Sequence, residues 1–125
     1  MIVYTDGAYS SSTDCGGIGI VFVDKGEYCK KYTHTTNQRM EVKAAIIALQ
    51  SIKEPTEVTI ISDSAYLVKT MNNEFKRKAN LDLWETLDKA VSRHTKVEFK
   101  WVRGHNGDIN NERADCLATT ACKLM

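Results

Sequence analysis

The chain has 125 residues, 42% of them hydrophobic, and a formal net charge of +1; that is enough to bury one core and too little for two ordinary domains, so residues 1–125 are expected to form a single domain. No apolar run approaches the roughly 18–20 residues that span a bilayer, and Met1-Ile2-Val3-Tyr4 shows no signal-peptide pattern, which argues against a membrane protein and predicts a cytoplasmic one. A net charge so near zero exerts no bulk pull on polyanions, so affinity for nucleic acid has to come from a local patch or from bound cations.

Ile2-Val3-Tyr4 opens a strand, Ile18, Ile20 and Phe22 alternate with Gly19 and Val21 in a second, and Tyr28–Thr33 follows a Lys25-Gly26 turn as a third. This alternation predicts an antiparallel meander. From Arg39 to Ile52 the period becomes helical, with Met40, Ala44, Ile47, Ala48 and Ile52 on one stripe and Pro55 as a stop. Val58-Thr59-Ile60-Ile61 is an apolar run of the kind a buried strand carries. Ser62 to Asn73 returns to helix through Leu67, Val68 and Met71, and another helix begins near Asp82 with Leu83, Leu87, Ala90 and Val91. Val97, Phe99 and Trp101 alternate as a last strand, and Asn110–Lys123 closes the chain as a helix that buries Ala114, Leu117, Ala118 and Ala121. The order β-β-β-α-β-α-α-β-α predicts an α/β fold: a mixed five-stranded sheet, three antiparallel strands followed by parallel ones, flanked by helices. Trp84 and Trp101 fit core positions. Cys15, Cys29, Cys116 and Cys122 form no CxxC pair and no ligand cadence, so reduced thiols are expected.

Four acids stand out on this map: Asp6, Glu41, Asp63 and Asp115. Asp6 and Asp63 each follow an apolar run, and a right-handed crossover between parallel neighbours brings both carboxylates to one sheet edge. Glu41 lies in the opening turns of the crossover helix beside Met40, and Asp115 lies beside Ala114 with Glu112 one turn earlier. Carboxylates gathered without counter-ions raise one another's pKa, a conflict that a divalent cation resolves. Oxygen-only ligands with no paired His or Cys favour Mg²⁺ or Mn²⁺ over Zn²⁺. Singly, each acid has an ordinary explanation: Asp6-Gly7 as a turn, Asp63-Ser64 as a helix cap, Glu41 and Asp115 as solvated helix charges. Four together, in these contexts and this order, outweigh it.

Those contexts are Thr5-Asp6-Gly7, Gly16-Gly17-Ile18-Gly19, Thr35-Thr36-Asn37-Gln38-Arg39-Met40-Glu41, Ser62-Asp63-Ser64, Asp82-Leu83-Trp84, Trp101-Val102-Arg103-Gly104-His105-Asn106-Gly107 and Asn111-Glu112-Arg113-Ala114-Asp115-Cys116-Leu117-Ala118. In order, spacing and identity, over nearly the whole chain, the series resembles the type 1 ribonuclease H family. The resemblance implies a ribonuclease H-like fold and endonucleolytic hydrolysis of the RNA strand of an RNA/DNA hybrid by a two-metal-ion mechanism. Products would carry 5′-phosphate and 3′-hydroxyl ends, and the cofactor would be Mg²⁺, two per site, with Mn²⁺ as substitute. By the same resemblance Asp6 bridges the two ions while Glu41, Asp63 and Asp115 complete their shells. His105, in a loop between Gly104 and Gly107, would assist proton transfer or product departure. His34 and His94 have no such support, and His94 suits a surface or helix-dipole role. Glu112 stands either as a tuner of the metal site or as a surface acid partnered by Arg113.

The resemblance also implies that Thr36, Asn37 and Gln38 lie along the hybrid's minor groove and DNA phosphates, with Ser12 in the neighbouring loop as a further contact. A hybrid-specific enzyme must sense 2′-hydroxyls on one strand and deoxyribose on the other. Three positions depart from the family pattern: Gln38 for a second asparagine, Ala65 for a common glutamine, and Ser12 for a common asparagine. Between Met71 and Asp82 the chain has only Asn72–Leu81, without the extra helix and basic loop that many bacterial members insert there. Lys76-Arg77-Lys78 is then either a phosphate contact or a solvated face. The expected partner is an RNA/DNA hybrid, bound by a monomer. Two readings compete: a DNA-acting fold relative such as a resolvase or transposase core, opposed by the complete 35–41 and 101–115 stretches, and a catalytically silent hybrid-binding module, which predicts a missing acid.

Overall fold

The computed structural model describes residues 1–123, so the last two residues of the expected 1–125 domain lie outside the described residues. The chain runs β1 (Ile2–Ser10), β2 (Cys15–Phe22), β3 (Gly26–Tyr32), α1 (Asn37–Ser51), β4 (Glu57–Ser62), α2 (Ala65–Met71), α3 (Leu81–Ser92), β5 (Lys96–Trp101) and α4 (Ile109–Ala121). The strands form the predicted mixed sheet of five, in the order β3-β2-β1-β4-β5. Pairing is antiparallel from β3 to β1 and parallel from β1 to β5.

Strand β1 joins the two halves, and the halves use it unequally. Its antiparallel ladder with β2 runs from Val3↔Phe22 to Ser10↔Cys15, whereas its parallel ladder with β4 stops at Tyr4↔Ile61. Beyond Tyr4 the sheet is open between β1 and β4, the type of crevice in which α/β proteins bind ligands. The same ladder lengthens β1 well past the expected Ile2-Val3-Tyr4, because Thr5, Asp6 and Gly7 are still paired to β2.

Helices cover both faces. Helix α1 packs on β1 and β2 and, on its other side, on α3. It therefore buries Val42, Ala45, Ile46 and Leu49 as well as Met40, Ala44, Ala48 and Ile52, a wider surface than the one predicted stripe. Helix α4 lies on the opposite face against Gly17 and Gly19 of β2. A Cβ at Gly19 would stand 2.1 Å from the Ala114 carbonyl oxygen, so only glycine lets the helix backbone approach this closely. Helix α2 is shorter than the expected 62–73 because β4 continues to Ser62 and the Ser64 hydroxyl caps the helix by accepting from the Leu67 amide at 3.1 Å. None of the described helices is long and apolar enough to cross a membrane.

Three expectations fail. Cys15 and Cys122 form a disulfide, with Cα atoms 6.0 Å apart, leaving Cys29 and Cys116 as free thiols. His94 is buried, not on the surface: its Nδ1 accepts from the Thr56 amide at 3.2 Å and its Nε2 lies 2.9 Å from the Leu49 carbonyl, fastening the α1–β4 connection. Trp84 is buried as expected, but Trp101 is 51% exposed, because the alternation of β5 reaches the sheet's open end there.

Candidate active site

The crevice gathers three of the four acids. Asp6 and Glu41 are buried, Asp63 is half-buried, and one carboxylate oxygen from each lies within 4.8 Å of the other two. The β1–β4 register explains the pairing of the first and third: Tyr4 stands opposite Ile61, and two residues further along each strand direction come Asp6 and Asp63. Asp6 is thus inside β1, not at its end as expected; what ends there is its pairing with β4.

The Gly7 amide points into the gap that β4 has vacated. It donates to Asp6 Oδ1 at 2.9 Å and to Glu41 Oε1, so the ladder bond that β4 no longer provides is replaced by two carboxylates. Glycine is required here because a Cβ would stand 2.3 Å from the Met40 carbonyl carbon. That close approach of β1 to α1 carries Glu41 into the cluster.

Asp115, on the half-exposed side of α4, sits outside the close trio but acts on Asp6, favouring its protonated form, and adds negative charge near Asp63. Asn111, one turn before it, is the residue that sequence reasoning missed. It is buried, and it acts on the Asp63 carboxylate, favouring its charged form. The available signal was its i, i+4 spacing to Asp115, which puts both on one helix face. Glu112, expected on that face, is exposed, and Arg113 pairs instead with Glu27 of β3 at 2.7 and 2.8 Å. The start of α4 is fixed by Asp108, which caps the Asn110 and Asn111 amides and accepts from the Tyr4 hydroxyl at 3.2 Å.

Burial first, and then the charges of neighbouring acids, push the cluster toward protonation. Asp6 is raised far above the usual carboxylate range, chiefly by burial and next by Glu41. Glu41 is raised to about 7, again chiefly by burial, with Asp63 adding to it. Asp63 is raised by burial and by Asp115, while Asn111 and His105 act in the opposite direction. The groups that set these shifts include no lysine or arginine. Carboxylate oxygens gathered by burial, mutually repelling and with no lysine or arginine among the groups that act on them, fit a hard divalent cation such as Mg²⁺ or Mn²⁺.

The remaining predicted residues surround the crevice. His105 is exposed, in left-handed backbone (φ +54°), in the 102–108 connection, close enough for its charge to act on Asp63. Thr36 caps α1 by accepting from the Arg39 amide at 3.1 Å. Asn37 and Gln38 are exposed in the first turn of α1, not in a preceding loop, and Ser12 is exposed in the β1–β2 turn, 3.0 Å from the Ser10 hydroxyl. Gln38 also borders a groove of about 470 Å³ shared with Phe75, Lys76 and Lys78. Arg77 turns away from that groove to make a two-point ion pair with Asp88, at 2.5 and 2.9 Å.

A mixed sheet with an acid cluster at the split between its antiparallel and parallel halves defines a nuclease-type α/β protein. The model of the RNase H family matches residues 1–123, and the chain belongs to that family. It is 42% identical to the Ribonuclease H of Shewanella baltica (strain OS155), over 97% of this chain and 87% of the relative. It is likewise 42% identical to the Ribonuclease H of Vibrio campbellii, over 97% and 88%, and to that of Pseudomonas syringae pv. syringae, over 93% and 87%. The alignment to the Shewanella protein runs over 137 positions against 125 residues in this chain, so that relative carries residues with no counterpart here.

Proposed function

We propose that this chain hydrolyses the RNA strand of RNA/DNA hybrids, leaving 5′-phosphate and 3′-hydroxyl ends, with Mg²⁺ as its cofactor, two ions per site, and Mn²⁺ as a substitute. The observation that carries the reading is the trio Asp6, Glu41 and Asp63, two of them buried and the third half-buried, each offering an oxygen donor within 4.8 Å of the others, in a chain that belongs to the RNase H family. Two divalent cations held there would supply activation of the attacking water and charge stabilisation of the departing 3′ oxygen, so no protein nucleophile is needed.

The protein's part is positional. Asp6, clustered with Glu41 and Asp63 and acted on by Asp115 as well, is the natural shared ligand. Glu41, Asp63 and Asp115 complete the two shells from α1, the β4 exit and α4. His105, on its exposed loop, moves a proton at the scissile phosphate or eases product departure. Thr36, Asn37, Gln38 and Ser12 are the proposed substrate contacts, and Lys76 and Lys78 extend that surface along the groove beside Gln38. We further propose that the chain acts as a monomer in the cytoplasm.

The test is cleavage of a labelled RNA/DNA duplex with Mg²⁺, beside double-stranded RNA and double-stranded DNA, by the wild type and Asp63→Asn. Hybrid-only cutting that the substitution abolishes supports the reading. No hybrid cutting by the wild type, or undiminished cutting by the variant, overturns it.

A further inference from the structure

Asp63 differs from its two neighbours in how it is held. Asp6 is locked in the β1–β2 ladder and Glu41 in helix α1, whereas Asp63 lies in the two-residue connection between β4 and α2, only half-buried. Two residues of the β5 exit close on it. Strand β5 reaches its last pair at Ser62↔Trp101, and the Val102 amide continues the ladder to the Ser62 carbonyl at 3.0 Å. From there the Trp101 indole N–H donates to the Asp63 main-chain carbonyl at 3.1 Å. Gly104 lies flush against the Asp63 side chain: a Cβ on it would stand 2.9 Å from Oδ2 and 3.4 Å from Cγ. One residue thus pins the backbone of Asp63 and the other bounds the position of its carboxylate.

The exposure of Trp101 sharpens the point. An indole that is 51% exposed is not a core side chain, and its one polar atom is spent on a cluster residue. Metal ligands held within a fraction of an ångström depend on such supporting contacts, and loss of one costs roughly 10-fold or more in metal affinity or rate.

We propose that Trp101 and Gly104 are positioning residues that fix Asp63 for divalent-cation binding, an inference that rests on the metal-dependent reading above. Because both lie on the strand exit that leads to His105, they also set that loop against the acid cluster.

The experiment measures Mn²⁺ affinity by titration calorimetry in the absence of nucleic acid, with hybrid-cleavage kcat, KM and metal-free melting alongside. Trp101→Phe removes the indole N–H and keeps an aromatic ring; Gly104→Ala adds the methyl that meets Oδ2. Both variants are expected to bind Mn²⁺ roughly 10-fold more weakly. Their kcat should fall at low Mg²⁺ and recover at high Mg²⁺, while KM for the hybrid and metal-free melting stay at wild-type values. Wild-type Mn²⁺ affinity in both variants overturns the proposal, whether their melting falls, their KM rises or nothing changes. A rise in KM alone would make the Trp101 ring a substrate contact. A wild type that neither binds Mn²⁺ nor cuts hybrid overturns the functional reading itself, a result separate from wild-type behaviour in the variants.

Discussion

The amide of Gly7 and the carboxylate of Glu41 are joined by a hydrogen bond across the β1–α1 contact, at the point where β1 loses its partner β4. Strand and helix can meet there only because residue 7 has no side chain: a Cβ would stand 2.4 Å from the Glu41 amide nitrogen. The obstacle is backbone, which cannot swing aside. Gly7→Ala is therefore expected to destabilise the protein by about 2–3 kcal/mol through overpacking, read as a lower urea midpoint. Cleavage should fall further than the folded fraction does, because Glu41 is displaced. A variant with unchanged midpoint and activity would sink this account.

Burial and mutual repulsion raise Asp6 strongly and Glu41 to about 7, so both bind protons more tightly in the folded chain than in the unfolded one. The sign follows. A folded state that binds more protons loses stability as pH rises, beginning near the ordinary carboxylate values and continuing through the shifted ones. Metal-free protein should accordingly melt lower at pH 8 than at pH 5.5, by about 3–8 °C for on the order of 1–2 kcal/mol. Asp6→Asn should flatten that slope and raise the metal-free melting temperature at pH 8, while saturating Mg²⁺ restores the wild type but not the variant. Parallel slopes for the two proteins would refute it.

The meeting of Asp6 with Asp63 was legible because an apolar run, a helical crossover and a second apolar run leave few parallel arrangements. Glu41 was legible from its place beside the buried Met40. Periodicity could not tell that Asp6 lies inside β1, since the antiparallel partner continues where the parallel one stops. Trp101 alternates correctly with Phe99 yet is exposed, because alternation gives the face of a sheet and not how far the covering layer extends. Asn111 and Glu112 are adjacent in sequence and so point about 100° apart around the helix axis; which of them enters the site depends on how α4 is turned against the sheet, set here by the close contact of Gly19 with Ala114. The Cys15–Cys122 bond joins residues 107 apart, a separation at which spacing carries no information.

That disulfide closes almost the whole chain into one loop, tying the start of β2 to the C-terminal end of α4, the helix that bears Asp115. Loop closure on this scale restricts the unfolded ensemble and stabilises by about 2–4 kcal/mol. Thiol titration of unreduced, denatured protein should count the two free cysteines, Cys29 and Cys116. Reductant and Cys122→Ser should each lower the melting temperature by a similar amount, and reductant should do nothing more to the variant. Four titratable thiols before reduction would contradict the bond.

Substrate grip should be weak in salt-dependent terms. Of the basic run 76–78, Arg77 is consumed: its guanidinium holds Asp88 and lies 5.5 Å from the centre of the Trp84 ring, bracing the α2–α3 connection. Lys76 and Lys78 alone of the three line the groove beside Gln38. Each phosphate neutralised contributes roughly 0.7 to 0.9 to the slope of log affinity against log salt. Lys76→Ala and Lys78→Ala should therefore each shallow that slope by up to about 1. Arg77→Ala should leave it unchanged and instead lower the melting temperature. Binding of a catalytically inactive Asp63→Asn background to an RNA/DNA hybrid, measured from 50 to 300 mM salt, separates the two effects. The slope should also be shallower than that of relatives that carry a basic insertion in this connection. A slope equal to theirs, or one that Arg77→Ala alone reduces, would show that the run acts on nucleic acid as a unit and that the ion pair with Asp88 opens on binding.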